Sequence, residues 1–295
     1  MTLEQKFQAK KFVITADVLP PKGVNVSSAL EEASLLRGRV DGLNVADNPS
    51  AVMRMSSLGL AHLLLGVGIE PILQMVGRDR NRLSLQSELL SAAVLGIRNV
   101  LILTGDHQSL GDHPQAKGVF DLDSVQLLQA ARRLEAGEDL SGGKLEGKPS
   151  FFLGAVVNPA QEPPDLQIAK LEKKVEAGAR FIQTQPVYEP ERFAGFLERV
   201  RHLKVPIEMG VFVLRSARMA RVMNEKIPGC QVPDALIQEL AASEKQAEAG
   251  IAIAARLLRA ATDLCQGAHL MSFNWPRGVL GALEQAGLQQ AAPSG

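Results

Sequence analysis

Short runs of apolar residues alternate with longer amphipathic segments along most of this chain. Unbroken apolar runs of about four to eight residues are typical of strands buried on both faces, as in a parallel sheet. The predicted strands span residues 12–18, 42–46, 70–76, 100–104, 151–157, 181–184, 207–213 and 268–273. The predicted helices span residues 27–37, 51–65, 83–95, 122–136, 165–177, 190–202, 217–225, 235–264 and 277–286.

Eight strand–helix units in one chain predict a (β/α)8 barrel, the TIM-barrel form of the α/β class. A doubly wound open sheet is the alternative, but no G-x-G-x-x-G motif follows the first predicted strand, and a length of 295 residues suits the barrel better. We therefore expect a single barrel domain over residues 1–295, with a Gly-rich, charged surface insertion at 137–149. The ends, residues 1–8 and 289–295, are expected to fray.

Composition and charge exclude several functional classes. Lys plus Arg and Asp plus Glu both number 32, so no net charge attracts the protein to nucleic acid or to a membrane surface. No run of roughly 18 apolar residues predicts a membrane span, and the polar N-terminus is unlike a signal peptide. The two cysteines stand far apart and outside any metal-ligand motif. We expect a cytoplasmic protein without a metal site.

The predicted strand at 100–104 runs directly into Gly105 and Asp106. Ligand chemistry in barrel enzymes lies at the C-terminal ends of the strands, so Asp106 is a candidate site residue, with a helix cap as the alternative interpretation. Other predicted strands also end in polar groups, each of which has the same alternative. Together these groups converge on one face of a barrel. They are Asp17, Asn44, Gln74, Asn158 and Gln185, with Arg78 and Arg80 just beyond the third strand.

The common catalytic motifs are absent from the sequence. It contains no H-E-x-x-H, no Walker A loop and no G-x-S-x-G, and its five histidines have no metal-ligand spacing. Acids, amides and basic groups at strand ends suit the binding of a polar heterocycle and the delivery of one proton, with an organic cofactor carrying the redox chemistry. Arg78 and Arg80 form either a solvated ion-pair network or a phosphate site.

Six ordered motifs resemble those of the methylenetetrahydrofolate reductase family, whose members are flavin-containing (β/α)8 barrels. The motifs are D-x-x-P-P at 17–21, L-N-V-A-D-N-P at 43–49, R-D-R-N at 78–81, L-T-G-D at 103–106, L-x-x-K-x-x-A-G-A at 171–179 and T-Q-P-V-Y at 184–188. The match runs from about residue 12 to residue 288. It is most similar to the branch found in anaerobic one-carbon metabolism and in reductases fused to homocysteine methyltransferases.

The resemblance implies reduction of 5,10-methylenetetrahydrofolate to 5-methyltetrahydrofolate by hydride transfer from N5 of a reduced flavin. The cofactor implied is FAD, with FMN as the alternative. Asp17 stands where the family usually has a glutamate that assists opening of the folate imidazolidine ring. Asp106 corresponds to an aspartate near the flavin and the pterin, where it favours the cationic 5-iminium form. Gln185, Tyr188 and Met223 correspond to substrate-binding positions, and Met223 replaces a common phenylalanine.

The resemblance also assigns flavin contacts to positions along the strand ends and one helix. They are Asn44, Gln74, Thr104, Gly105, Asp106, Phe120, Asp121, Asn158, Lys170, Lys173 and Lys174. Without the family match, the lysines at 170–174 would be interpreted as a solvated helix face. Thr104 stands where many relatives carry arginine, and Arg78 and Arg80 are candidates to supply the missing charge.

The electron donor stays open, because NADH, NADPH, ferredoxin or another flavoprotein would all fit. The family implies a homo-oligomer, and membership of a larger redox complex is a further expectation. Two other hypotheses remain. Asp17 and Met223 suggest a catalytically weakened, folate-binding relative or partner subunit. A barrel methyltransferase acting on methyltetrahydrofolate would share the ligand and need no flavin.

Overall fold

The computed structural model describes residues 1–227 and 229–288, and its strands close into an eight-stranded parallel barrel. The strands are β1 (Val13–Val18), β2 (Gly42–Val45), β3 (Pro71–Val76), β4 (Asn99–Leu103), β5 (Phe152–Val157), β6 (Phe181–Pro186), β7 (Ile207–Phe212) and β8 (Gly267–Met271). Each strand pairs in parallel with the next, and β8 pairs with β1. The predicted (β/α)8 fold is confirmed.

Helices connect the strands and pack around the barrel. They are α1 (Leu3–Gln8), α2 (Ser27–Leu36), α3 (Ser57–Gly66), α4 (Arg82–Val94), α5 (Ser124–Ala136), α6 (Pro164–Glu176), α7 (Pro190–Val200), α8 (Ala217–Lys226), α9 (Asp234–Ala242), α10 (Gln246–Leu264) and α11 (Pro276–Ala286). Most of them agree with the predicted helices, because apolar positions repeat with a helical period on the face that packs against the strands.

Two predicted helices are wrong in extent. The single helix predicted over 235–264 is two helices, α9 and α10, because the chain is extended at Ser243 (φ −87°, ψ 130°). The helix predicted from residue 51 begins only at Ser57. The preceding residues Asn48, Ser50 and Ala51 have φ values of 44°, 54° and 57°, in the left-handed region that a right-handed helix cannot include.

The N-terminal segment, expected to fray, forms helix α1 instead. A reciprocal pair of hydrogen bonds between Thr2 and Gln5 caps its start. Leu3 is fully buried against an apolar cluster at the N-terminal end of the barrel, which includes Val13 and Phe181. Burial of this side chain stabilises a helix that its short length alone would not support. The predicted fraying of residues 289–295 lies outside the described residues.

The barrel interior contains an apolar layer and, above it, a polar layer. The apolar side chains are Val13, Ile72, Leu101, Phe152 and Phe181, closed from below by Leu3. The polar side chains, all buried, are Thr15, Asn44, Gln183, Glu208 and His269. Barrel interiors are dominated by bulky apolar residues, so a polar layer at this depth has to be held by internal hydrogen bonds.

The segment at 137–149 forms a compact loop between α5 and β5. Glu138 and Lys144 make one antiparallel bridge. The side chain of Asp139 accepts hydrogen bonds from the backbone N–H groups of Ser141 and Gly143. Over the described part of the chain, no helix combines the length and the apolarity that a membrane span requires.

Candidate active site

A cavity of about 560 Å³ opens at the C-terminal ends of the barrel strands. Its size falls within the range of roughly 300–1,000 Å³ found for small-molecule sites. A second cavity of about 630 Å³ lies at the opposite end, beside Phe7 and Arg180. Chemistry in barrel enzymes takes place at the C-terminal ends of the strands, so the first cavity is the candidate active site. The predicted site residues that line it are Asp17, Gln74, Arg78, Thr104, Gly105, Asp106, Asn158, Lys174 and Gln185.

Asp17 lies near the end of β1 and borders the cavity, with 26% of its side chain exposed. Its Oδ1 atom is 3.3 Å from Nε2 of His269 on β8. Oδ1 is buried, and its contact with the imidazole becomes an ion pair when His269 is protonated and Asp17 is ionised. A carboxyl group at a cavity, with a titratable histidine behind it, can hold and release a proton.

His269 and Glu208 are functional candidates that sequence reasoning missed. Burial alone lowers the pKa of His269, but the negative charges of Asp17 and Glu208 outweigh this effect and raise the pKa above its ordinary value. Burial raises the pKa of Glu208 to about 7. The available signal was a single charged or titratable residue inside each of two otherwise apolar strands, β7 and β8. Such residues are costly to bury without a partner.

The turn after β4 places Thr104, Gly105 and Asp106 along one wall. Thr104 Oγ1 accepts a hydrogen bond of 3.2 Å from the backbone N–H of Ser124, at the start of α5. Gly105 has a φ of 94°, and a Cβ atom there would lie 3.1 Å from Cβ of Arg78. Only glycine combines this backbone conformation with so close an approach. The turn exposes the carboxylate of Asp106 at the cavity.

Arg78 and Arg80, proposed from the sequence to supply positive charge to a flavin, are both paired inside the protein. Arg78 is 2% exposed and donates two hydrogen bonds to Asp79, at 2.8 and 2.7 Å. Arg80 makes ion pairs with Asp47 and Glu88 and does not border the cavity. Arg78 also donates to the carbonyl oxygen of Asp106, at 3.2 Å. This hydrogen bond joins the loops that follow β3 and β4.

The three lysines of α6 face different surroundings. Lys174 borders the cavity, and its Nζ donates a hydrogen bond of 2.6 Å to the carbonyl oxygen of Val156. Burial and the nearby charge of Lys170 lower the pKa of Lys174 to about 8. Lys170 is exposed on the same helix, one turn away. Lys173 lies in a separate depression beside Arg132. Lys174 is thus the lysine that reaches the cavity.

Several other predicted site residues lie outside the cavity lining. Tyr188 borders a separate depression, and Met223 is buried within the hydrophobic core. Phe120 stacks against the ring of His107, with centroids 6.4 Å apart. Asp121 pairs with Arg82 at 2.8 Å.

Asn44 lies one layer below the cavity. Its side-chain amide donates a hydrogen bond of 2.7 Å to Gln183, inside the barrel. Asn44 therefore stands inside the barrel, where its amide contacts Gln183, and it does not border the cavity.

An aromatic edge at the cavity mouth was also missed. Phe212 and Phe273 both border the cavity and pack edge to face, with ring centroids 4.8 Å apart. Phe273 is 48% exposed. Arg215 holds its loop by donating a hydrogen bond of 2.9 Å to the carbonyl oxygen of Asn274 and by lying over the ring of Trp275. Exposed aromatic rings of this kind offer a flat surface to a planar ligand.

The fold and the site define a (β/α)8 barrel protein with a small-molecule site at the C-terminal ends of its strands. The sequence profile described as methylenetetrahydrofolate reductase matches residues 2–287, so the chain belongs to that family. This result confirms the family indicated by the six motifs.

Two curated relatives align with about two thirds of this chain. Methylenetetrahydrofolate reductase 2 of Schizosaccharomyces pombe is 31% identical over 214 residues, which cover 68% of this chain and 33% of the yeast protein. A probable methylenetetrahydrofolate reductase (NADH) of Oryza sativa subsp. japonica is 28% identical over 213 residues, covering 65% of this chain and 34% of the rice protein. The aligned region thus spans about a third of the length of these relatives.

Solved structures share the barrel at low sequence identity. An uncharacterised protein from Clostridium thermocellum, which binds two copies of 5-methyl-5,6,7,8-tetrahydrofolic acid, superimposes with a TM-score of 0.71 and 16% identity, covering 96% of this chain and 97% of its own. A 2,3-dimethylmalate lyase superimposes with a TM-score of 0.53 and 11% identity, covering 100% of this chain and 92% of its own. At these sequence identities, the two comparisons show a shared fold and no more.

Proposed function

We propose that this protein reduces 5,10-methylenetetrahydrofolate to 5-methyltetrahydrofolate with a bound flavin, FAD or alternatively FMN. The proposal is carried by the convergence of Asp17, Asp106 and Gln185 on one cavity, in a chain of this family. The curated relatives carry the name of this reductase. The Clostridium thermocellum protein with the same fold binds methyltetrahydrofolate, the product of the proposed reaction.

The side chains around the cavity suit a flavin. Gln74 and Thr104 offer amide and hydroxyl groups, which are the neutral donors and acceptors that the pyrimidine edge of the ring requires. Lys174, with Lys170 beside it, supplies positive charge for a flavin phosphate. We therefore assign the ring to the polar wall and the phosphate end to α6. When bound, the flavin supplies the hydride.

The protein's own groups supply the proton and the electrostatic stabilisation. The folate methylene carbon becomes a hydride acceptor once its five-membered ring opens, which needs a proton on N10. Asp17 delivers this proton from the end of β1. The carboxylate of Asp106 stabilises the positive charge of the opened iminium form, and Gln185 hydrogen-bonds the pterin. Phe212 and Phe273 offer apolar surface to the planar part of the substrate.

Replacement of Lys174 by methionine is expected to weaken flavin binding about tenfold, since it removes the ammonium group that borders the cavity. Lys173→Met is the matched control, because Lys173 lies in a separate depression, and its flavin affinity is expected to match that of the wild-type protein. Titration of the apoprotein with FAD, followed by flavin fluorescence, measures both. Equal loss in the two variants would contradict the assignment of Lys174.

The electron donor and the oligomeric assembly are proposed in less detail than the reaction. NADH is the first donor to test because the rice relative is named for it. NADPH, ferredoxin and a partner flavoprotein are the alternatives. A homo-oligomer, assembly into a larger redox complex and a cytoplasmic location stay predictions from the sequence.

The visible spectrum of the purified protein tests the proposed function. We expect a yellow protein, or one that becomes yellow with FAD or FMN. NADH should bleach it without oxygen, and methylenetetrahydrofolate should restore the colour with one equivalent of 5-methyltetrahydrofolate formed per flavin. A protein that stays colourless with both flavins would overturn the proposal and favour a flavin-independent barrel.

A further inference from the structure

Five buried polar side chains beneath Asp17 form one hydrogen-bonded group, which we call the interior network. Its members come from five different strands, and Thr15 and Glu208 have no exposed surface. Burial of a carboxyl group is costly unless it is paired or protonated. The Glu208 carboxyl group is buried inside the barrel, below a candidate catalytic acid, and packing alone does not explain why it is there. The members are Thr15, Asn44, Gln183, Glu208 and His269.

Thr15 connects the two titratable members of the interior network. Its Oγ1 lies 2.7 Å from Oε1 of Glu208, to which it donates when that carboxyl group is ionised, and 2.9 Å from Nδ1 of His269. Gln183 donates to the other Glu208 oxygen at 3.0 Å and so fixes the carboxyl group. The opposite edge of His269 presents Nε2 to Asp17 at 3.3 Å. Hydrogen bonds therefore lead from Glu208 through Thr15 to His269, and a contact of 3.3 Å joins His269 to Asp17 at the cavity.

We propose that the interior network is a proton store that recharges Asp17 between turnovers, a role that rests on the proposed reductase function. After Asp17 has given its proton to the folate, His269 passes its Nε2 proton to Asp17. This transfer starts from neutral His269, which carries its proton on Nε2, and from protonated Glu208, whose carboxyl group then donates to Thr15. In the same step Glu208 gives its carboxyl proton to the Thr15 oxygen, and the Thr15 hydroxyl proton moves to the free Nδ1 of His269. The net change is one proton transferred from Glu208 to Asp17. A solvent proton that enters the cavity and reaches Asp17 returns along the same path in reverse, which restores the Nε2 proton of His269 and refills Glu208.

The electrostatics of the interior network suit this task. Burial raises the pKa of Glu208 to about 7, so its carboxyl group holds a proton below that pH and releases it near neutrality. The charged groups that act on His269 are Asp17 from β1 and Glu208 from β7, and both raise its pKa against the opposing effect of burial. Asp41, paired with Lys6 at 2.6 Å, adds negative charge near Glu208. The store is therefore full below about pH 7 and empties as the pH rises.

Substitution of Thr15 tests the path through its hydroxyl. Thr15→Val removes the hydroxyl with little change of shape, and Thr15→Ser keeps it. In the wild-type protein, kcat for methylenetetrahydrofolate reduction should fall as the pH rises through about 7. Thr15→Val should lower kcat below this pH about tenfold and remove the step in the profile, and Thr15→Ser should retain both. A purely structural role would change stability or KM and leave the step in place.

An NMR titration of His269 gives a readout that does not depend on turnover. The imidazole signal is identified as the one lost in His269→Gln. Glu208→Gln removes a negative charge, so the midpoint of the His269 titration should fall by about one pH unit. In the wild-type protein the same signal should titrate in two coupled steps, one that belongs to His269 and one that belongs to Glu208.

The two measurements separate the two proposals. Coupled titration in a protein that reduces no methylenetetrahydrofolate would reject the reductase function while supporting proton sharing in the interior network. Reductase activity with an unchanged pH profile in Thr15→Val, together with an unchanged His269 midpoint in Glu208→Gln, would reject the proton store alone.

Discussion

Asp17→Asn is expected to lower the rate of methylenetetrahydrofolate reduction by about 10²- to 10⁴-fold, the contribution typical of a positioned general acid. The amide has nearly the shape of the carboxyl group but cannot deliver a proton to folate N10. Flavin reduction by NADH should keep its wild-type rate, because that half-reaction needs no folate proton. Stopped-flow absorbance of the flavin measures the two half-reactions separately.

Asp17→Glu is the matched control for this prediction. It keeps the acid and extends it by one methylene group, to the residue that the family usually carries at this position. We expect activity of the same order as the wild-type protein, since His269 already stands 3.3 Å from the shorter side chain. A large gain in Asp17→Glu would instead support the weakened-relative hypothesis. Full folate reduction by Asp17→Asn would contradict the role of Asp17 as the acid.

Gly250→Ala is expected to destabilise the protein by about 3 kcal/mol, at the upper end of the cost of overpacking. Gly250 lies on α10 where this helix crosses the backbone after β7, and an added Cβ atom would overlap the carbonyl oxygen of Leu214. Neither the helix nor that backbone can shift cheaply, because Leu214 is fully buried. Urea unfolding measures the change as a lower transition midpoint with an unchanged slope.

Gly195→Ala separates this crowding from the general effect of a helical glycine. Gly195 lies within α7, and an added Cβ atom there would meet nothing within 4 Å. Because alanine favours a helix interior over glycine, we expect a gain of about 0.5–1 kcal/mol. Destabilisation of Gly195→Ala equal to that of Gly250→Ala would show that close backbone approach is not the cause.

The strands were predictable because each buried strand is a short apolar run between turn residues. The ends of β1, β4 and β6 that border the cavity were predictable for the same reason, since a polar residue at the end of such a run stands at the barrel rim. Helix α1 was not, because its stability comes from burying Leu3 under the barrel rather than from its own sequence. The break between α9 and α10 was missed because the helical pattern continues on both sides of Ser243 and hides the extended residue between them.

Loop side chains were the least predictable part of the candidate site. Arg78 and Arg80 follow β3 and carry charge, so the sequence offered them as a phosphate site, and the family resemblance added Asp121, which precedes α5. In the folded protein their charges are paired with Asp79, Asp47 and Arg82 respectively. Arg78 pairs with its neighbour in the sequence, but the partners of Arg80 and Asp121 are 33 and 39 residues away, and no local spacing rule reports such pairs.

The sequence by itself determined the eight strand–helix units, the family motifs and the carboxylates Asp17 and Asp106 at strand ends. Only the tertiary structure decided that Thr15 and His269, 254 residues apart, lie side by side. Alternation along a strand shows that a side chain points inward, but it does not show which strand lies next to it. That neighbour is fixed when β8 closes against β1, and this closure joins Glu208, His269 and Asp17 into one path.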